Sequence, residues 1–543
     1  MIGMTTSAAR PSTSARPRAT GRSSLWRLAG EWLERPLASF HLLMAVFVLM
    51  LGFGLTMVLS SSAATAFRNN DSAFAVFANQ AVFAALGLIA FVLVLRMPIG
   101  VIRRISTTAL IVSLAMLVAV LIPGVGSKWN GAQSWITITS SISFQPSEVA
   151  KLALLLWAAH VMASVRSPYR TLKSLLIPVA PVVAIMALLV MLQPDLGTTV
   201  TLAIVFLAVL FFAGAQLWIF IGLAGLGVAG VVGLAMSAGY RVARITAWLH
   251  PDSADPASTY QSFQGLYAMG SGGVFGVGIG QSKMKWGRLP NADSDFIFAI
   301  IGEELGLVGT LTVVLLFALL AYVGLRIARR NTDPFVKIAA AGGTVWLVGQ
   351  AAINIGYVVG LLPVTGIPLP MFSRGGTSLV VTIVVFGLLA NFARREPAAM
   401  AALSSATPRG LAAFLGLGRP AADRLAPTGR SGGRIGARRQ SRSAAKRAEK
   451  VRRDRAQQRQ RWEQHEQAGA DRARGGRRAA GPAVASYPAP GGMRSGRPPR
   501  PGGGRRGSAR GRRHPIRRAL GFPVPAERHA ERRAARPGRT VRP

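Results

Sequence analysis

The sequence predicts an all-α, polytopic membrane protein of about ten helices, followed by a long polar tail. Three observations carry that prediction. Apolar runs close to the ~20 residues needed to cross a bilayer recur between Phe40 and Phe392. Charged residues make up 15% of the 543-residue chain, well below the roughly 25% of a soluble domain, and the mean hydropathy is +0.37. The basic residues gather between the apolar runs and after the last of them.

The elements follow in order. Residues 1–36 form a Ser/Arg-rich polar segment, and the first apolar run, about 40–59, is too long for a signal peptide's apolar core. No small-residue cleavage site and soluble domain follow it, so it is expected to remain as the first span. Spans are expected near 39–62, 74–96, 107–123, 147–164, 174–192, 197–213, 216–236, 295–326, 336–360 and 376–393, within a membrane domain of residues 37–395. The short connections at 96–104, 166–173 and 326–330 carry the positive charge on the side shared by both termini. The positive-inside rule therefore puts both termini in the cytoplasm. The outer connections are the long ones. They hold Trp129, Trp135, Trp248 and Trp286, and the longest, residues 237–294, leads into an apolar helix headed by carboxylates.

The formal charge is +42, of which 38 basic and 9 acidic residues from Arg394 onward contribute +29. Residues 396–543, rich in Arg, Ala, Gly and Pro, cannot bury a core and are expected to be disordered. Within them 441–467 lacks Gly and Pro and favours a solvated helix. Arginines placed outside the apolar core point to topology and to docking on anionic lipid or an acidic partner, not to nucleic acid. The chain has no cysteine, so disulfides, thiolate nucleophiles and cysteine metal sites are excluded. Six scattered histidines make no zinc-ligand pair. No motif calls for a cofactor, and the need for a divalent cation is left open.

Acids at span ends carry the chemistry, because a carboxylate in or near hydrocarbon costs several kcal/mol unless it is used or paired. Asp295 heads the helix in Asn291-Ala292-Asp293-Ser294-Asp295-Phe296-Ile297-Phe298. Desolvation and the neighbouring Asp293 would raise its pKa, while nearby arginines or the helix N-terminus oppose; it suits a general base on a hydroxyl, and a helix N-cap is the other reading. Glu303 and Glu304 lie about 12 Å deeper at ~1.5 Å per residue, too far to share Asp295's target, and suit bonding within the bundle. Glu148 and Lys151, at i and i+3, read either as a structural pair or as a polar wall for a charged headgroup. Asp195 suits a cap on the span that follows it. Arg241 and Arg244 oppose the positive-inside trend on the outer side and suit an anion such as pyrophosphate, or a loop salt bridge. The glycine run 270–280 has no strand–helix nucleotide fold around it and reads as re-entrant or tightly packed backbone.

Several motifs recur together in order. They are Val58-Leu59-Ser60-Ser61-Ser62; Asn130-Gly131-Ala132 with Trp135-Ile136; Phe144-Gln145-Pro146-Ser147-Glu148 with Lys151; and Gln193-Pro194-Asp195-Leu196-Gly197-Thr198. Then come Tyr260-Gln261 and the glycine run, Leu289-Pro290, Asp295-Phe296-Ile297-Phe298 and Glu303-Glu304-Leu305-Gly306. The series ends with Asn354-Ile355-Gly356, Gly360-Leu361-Leu362-Pro363-Val364-Thr365-Gly366-Ile367-Pro368-Leu369-Pro370, Ser373 and Gly375-Gly376-Thr377-Ser378. Over residues 36–395 the chain resembles the SEDS proteins (shape, elongation, division and sporulation), with the division-type members the closer match.

The resemblance implies a ten-helix fold that polymerises peptidoglycan glycan from lipid II at the outer membrane face, with Asp295 at the family's functional aspartate. It implies that Asp295 takes the proton of the acceptor's GlcNAc 4-hydroxyl, which displaces undecaprenyl pyrophosphate with inversion. It also implies a class B penicillin-binding protein as transpeptidase partner and, for a division-type member, divisome proteins at the septum. Glu148, Lys151, Arg241 and Arg244 are candidates for the headgroup. The chain departs from the family at Asp293, where histidine is common, at Arg374, where an aromatic is common, and at Ser134, where a basic residue is common. The competing readings are an elongation-type polymerase, a lipid II flippase and a structural scaffold acting through its tail.

Overall fold

Each of the ten predicted apolar segments folds as a helix. The computed structural model describes residues 30–68, 72, 74–129, 132–139, 142–165, 172–236, 246, 248–250 and 255–405, all within the unit Met1–Ser431. The helices are α1 (Ala38–Arg68), α2 (Ala75–Arg96), α3 (Ile99–Leu121), α4 (Pro146–Ser164), α5 (Leu172–Met191), α6 (Leu196–Phe212), α7 (Leu217–Met236), α8 (Pro256–Gly272), α9 (Ile297–Arg330), α10 (Pro334–Val358), α11 (Gly376–Ala393) and α12 (Pro397–Ser405). Among the described residues, α1, α2, α3, α5, α9, α10 and α11 are long and apolar enough to cross a membrane. Of the other predicted spans, α4 is diluted by Glu148, Lys151 and His160, α6 is a shorter apolar helix of 17 residues, and α7 runs for 20 residues. Residues 1–29, the tail beyond 405, Arg241 and Arg244 lie outside the described residues.

Local chemistry sets the helix starts. Pro146 opens α4 and Pro334 opens α10, positions where the missing N–H costs nothing. Asp195 caps α6, accepting from Thr198 N at 2.9 Å and from Thr198 Oγ1 at 2.6 Å. Asp333 caps α10 through Phe335 N.

Besides α12, a helix at the start of the 396–543 segment expected to be disordered, two elements appear where the sequence reads only as connection. Residues 126–144 form a three-stranded antiparallel sheet of β1 (Gly126–Trp129), β2 (Ala132–Thr139) and β3 (Ile142–Phe144), with Ser127 opposite Trp135 and Thr137 opposite Ser143. Ser134 on β2 is buried, and its hydroxyl donates to Gln193 O at 3.4 Å. The uncharged residue at this departure from the family pattern thus sits at a position closed to solvent. The second element is α8, inside the long connection between α7 and α9. Its apolar residues are separated by Ser, Gln and Gly, which hides the helix in the sequence.

The largest difference lies in α9. Its helix is broken at Gly306, which adopts φ 64° and ψ −157°. A break inside an apolar span frees backbone groups that hydrocarbon cannot satisfy. The glycine run supplies the partners. Leu307 N and Val308 N, which would have bonded back to residues 303 and 304, instead donate to Gly273 O (3.0 Å) and Val274 O (3.2 Å). Glu303 O and Glu304 O accept from Val277 N and Gly278 N, each at 3.0 Å. The expectation of tightly packed backbone at 270–280 is met in this form. Only glycine permits the approach: a Cβ on Gly276 would lie 2.1 Å from Glu304 O, and its φ is +80°. Gly276→Ala is expected to destabilise the protein by at least the ~1–3 kcal/mol of such backbone strain. A lowered midpoint in detergent thermal unfolding would show it.

Candidate active site

Asp295 sits in a turn that three consecutive carbonyls fix to the rest of the protein. Asp293 O accepts from Arg374 N at 2.9 Å. Ser294 O accepts from Ser373 Oγ at 2.7 Å. Asp295 O accepts from Asn354 Nδ2 at 2.9 Å and from Tyr357 OH at 2.8 Å. The turn also closes on itself, with Asn291 O accepting from Ser294 N and Phe296 N. Phe296 is fully buried, its ring 5.6 Å from that of Tyr357 and close against Gly265 of α8. The N-cap of α9 is Phe296, whose side chain makes no capping bond. The helix start therefore falls one residue past Asp295.

A second segment, residues 364–375, forms the facing wall. Asn354 and Tyr357 hold its Ile367 O at 2.7 and 2.8 Å, and Gln350 Nε2 holds Pro368 O at 2.9 Å. Leu369 N donates to Ser373 Oγ at 2.7 Å. Gly366, at φ 71°, faces the carboxylate: a Cβ there would lie 3.6 Å from Asp295 Oδ2. Asp295 is partly exposed.

The departures from the family pattern meet here. The Arg374 guanidinium pairs with Asp293 Oδ2 at 2.9 Å, with Arg374 side-chain exposure of 43% and Asp293 of 13%. The arginine thus offsets the charge of the extra aspartate, which lies two residues before Asp295. Glu148 and Lys151 form a buried ion pair at 2.8 Å. Lys151 Nζ also lies 3.5 Å from Gln350 Oε1 and over the Trp346 ring. Gln350 therefore links this pair to the 364–375 wall. Asp195 caps α6 and accepts from Gln145 Nε2 at 3.3 Å, matching the capping reading.

Glu303 and Glu304 are enclosed within the bundle. The Glu303 carboxylate accepts from Ser282 Oγ, Lys283 N and Met284 N. Glu304 accepts from Ser60 Oγ of α1 at 2.6 Å and pairs with Lys285 Nζ at 2.9 Å, both charges buried. Lys285, Gln350 and Tyr357 carry much of this arrangement, and the sequence reading passed over all three. A polar residue on an apolar helix face, with Gln350, Asn354 and Tyr357 at i, i+4 and i+7, was the available signal. No group of three or more His, Cys, Asp or Glu side chains able to hold a metal is found among the described residues.

This constellation lies within a family-wide pattern. The profile of the FtsW/RodA/SpoVE cell cycle proteins matches residues 40–397. The chain belongs to the FtsW/RodA/SpoVE family. The match runs from α1 into α12 and includes every described residue of the site. The SEDS resemblance is thereby shown, and membership also makes the chain a membrane protein. A probable peptidoglycan glycosyltransferase FtsW of Mycobacterium tuberculosis is 46% identical over 374 residues, covering 69% of this chain and 71% of the relative. Stage V sporulation protein E of Bacillus subtilis is 39% identical, covering 65% of this chain and 96% of the relative. Among solved structures, a chain of a peptidoglycan synthase complex, described for how it coordinates polymerization and crosslinking, superposes with a TM-score of 0.51. It is 26% identical and covers 63% of this FtsW/RodA/SpoVE protein and 98% of itself.

Proposed function

We propose that this chain is a peptidoglycan glycosyltransferase that polymerises lipid II at the outer face of the cytoplasmic membrane, in septal wall synthesis. The observation that supports it most is the pinned turn, which presents a partly exposed carboxylate beside an open glycine wall. Relatives named as glycosyltransferases supply the reaction class.

In this reading Asp295 is the general base. It takes the proton from the acceptor's GlcNAc 4-hydroxyl as that oxygen bonds to the donor's anomeric carbon. The bond from that carbon to the phosphate oxygen breaks, and undecaprenyl pyrophosphate leaves on the opposite side, giving inversion. Arg374 pairs with Asp293 at the mouth and balances its charge. Arg241 and Arg244 are candidates for the pyrophosphate by sequence; Glu148 and Lys151, expected as headgroup candidates, are instead buried against each other and fit the structural-pair reading. A divalent cation, where used, would serve the pyrophosphate. The transpeptidase partner is a class B penicillin-binding protein, with other divisome proteins at the septum. Both termini are cytoplasmic, and the basic tail docks on anionic lipid or an acidic partner.

A flippase needs polar side chains along a path through both leaflets. Glu303 and Glu304 are instead closed off by Ser282, Lys285 and Ser60, which favours chemistry at one face. The test is glycan polymerisation from labelled lipid II by the full chain with its transpeptidase, beside a lipid-scrambling assay in vesicles. Polymer without scrambling is expected. Scrambling without polymer would replace this reading by the flippase.

A further inference from the structure

Asn354 and Tyr357 are buried on one face of α10, and neither borders the mouth. Each nevertheless lies within hydrogen-bond distance of the same two backbone oxygens, the amide with two hydrogens to donate and the hydroxyl with one. Asp295 O belongs to the turn that carries the carboxylate, and Ile367 O to the wall that faces it. The two groups also meet one another at 2.6 Å. These are the described side-chain bonds from α10 that tie turn and wall at a shared point.

We propose that Tyr357 and Asn354 are positioning residues, which set the distance between the Asp295 carboxylate and the acceptor site beside Gly366. This rests on the reading of Asp295 as the catalytic base. The argument is one of leverage. The carboxylate is two bonds from its own Cα, so its place follows the Asp295 backbone closely. Ile367 is adjacent to Gly366, where an added Cβ would lie 3.6 Å from Asp295 Oδ2. The Asn354 amide can therefore bridge both sides of the gap where the acceptor oxygen must sit, and the single Tyr357 hydroxyl hydrogen adds a bond to one side. A shift of ~1 Å in such a gap costs about a hundredfold in rate without removing any group that binds substrate. Ser373 and Arg374 fix the preceding two carbonyls, so loss of the α10 bonds would let the end of the turn move while its start stays in place.

The variants are Tyr357→Phe, which keeps the ring against Phe296 and removes only the hydroxyl, and Asn354→Ala. Each is purified as the full chain with its transpeptidase and assayed on labelled lipid II over a range of concentrations, beside Asp295→Ala. Positioning predicts that kcat falls about tenfold to a hundredfold in Tyr357→Phe, with KM within about twofold and the thermal midpoint near wild type. Asn354→Ala should fall further in kcat. A kcat that follows only the folded fraction, or a loss carried by KM, would overturn the proposal while leaving Asp295 in its role. Activity in Asp295→Ala would remove the catalytic reading itself, and the proposal with it.

Discussion

Asp295→Asn is expected to lower the rate of glycan polymerisation by about 10²–10⁴-fold, the usual contribution of a positioned general base. The substitution keeps the size of the side chain. The bonds that fix the turn use the backbone oxygens of residues 293, 294 and 295, none of which it touches. Folding, partner binding and lipid II affinity should therefore survive, and the loss should fall on kcat. Asp293→Asn is the matched control. It removes a charge two residues away and breaks the pair with Arg374, but Asp293 O still holds Arg374 N. A change of less than about tenfold is expected there, since a partly exposed pair contributes little. Equal losses in the two variants would mean that the mouth needs negative charge in general, not a base at residue 295.

The second large effect is on stability. Lys285→Ala should destabilise the protein by about 3–5 kcal/mol, the cost of leaving one member of a buried ion pair without the other. Glu304 is fully buried, and with Lys285 gone its carboxylate would keep only the Ser60 hydroxyl. Gly280 O would lose its donor as well. The cluster ties α1, the segment before the site and the first half of α9 together, just above the break at Gly306. The variant should give a low yield of folded protein and a lower unfolding midpoint in detergent. Adding Glu304→Gln, which neutralises the stranded charge, should recover much of the loss. A single variant as stable as wild type would show that the pair carries no such weight.

The helical segments were legible because apolar length is a property of the sequence alone, and all ten predicted segments fold as helices. Capping was legible for the same reason: Asp195 meets an amide three residues on. Glu303 and Glu304 bond within the bundle, but the partners of Glu304, Ser60 and Lys285, lie 244 and 19 residues away, and no local pattern announces them. The break in α9 was hidden because Leu305-Gly306-Leu307 reads as ordinary apolar helix, and the loop that stabilises it comes from 273–278. The sheet at 126–144 was missed because its short strands sit between spans and read as connection. Asp295 stood out as an acid at a span end, yet the residues that fix it, Asn354 and Tyr357, come some 60 positions later on α10. Sequence proximity shows which group reacts more readily than it shows what holds that group in place.

The most direct test of this account is a structure of the Asp295→Asn chain, with its transpeptidase, trapped with lipid II. The account predicts the acceptor's GlcNAc 4-hydroxyl within about 2.6–3.2 Å of the residue 295 side chain, the reach of a general base, with the sugar against Gly366. An acceptor hydroxyl out of reach of residue 295 and against another carboxylate, such as Glu148, would contradict it.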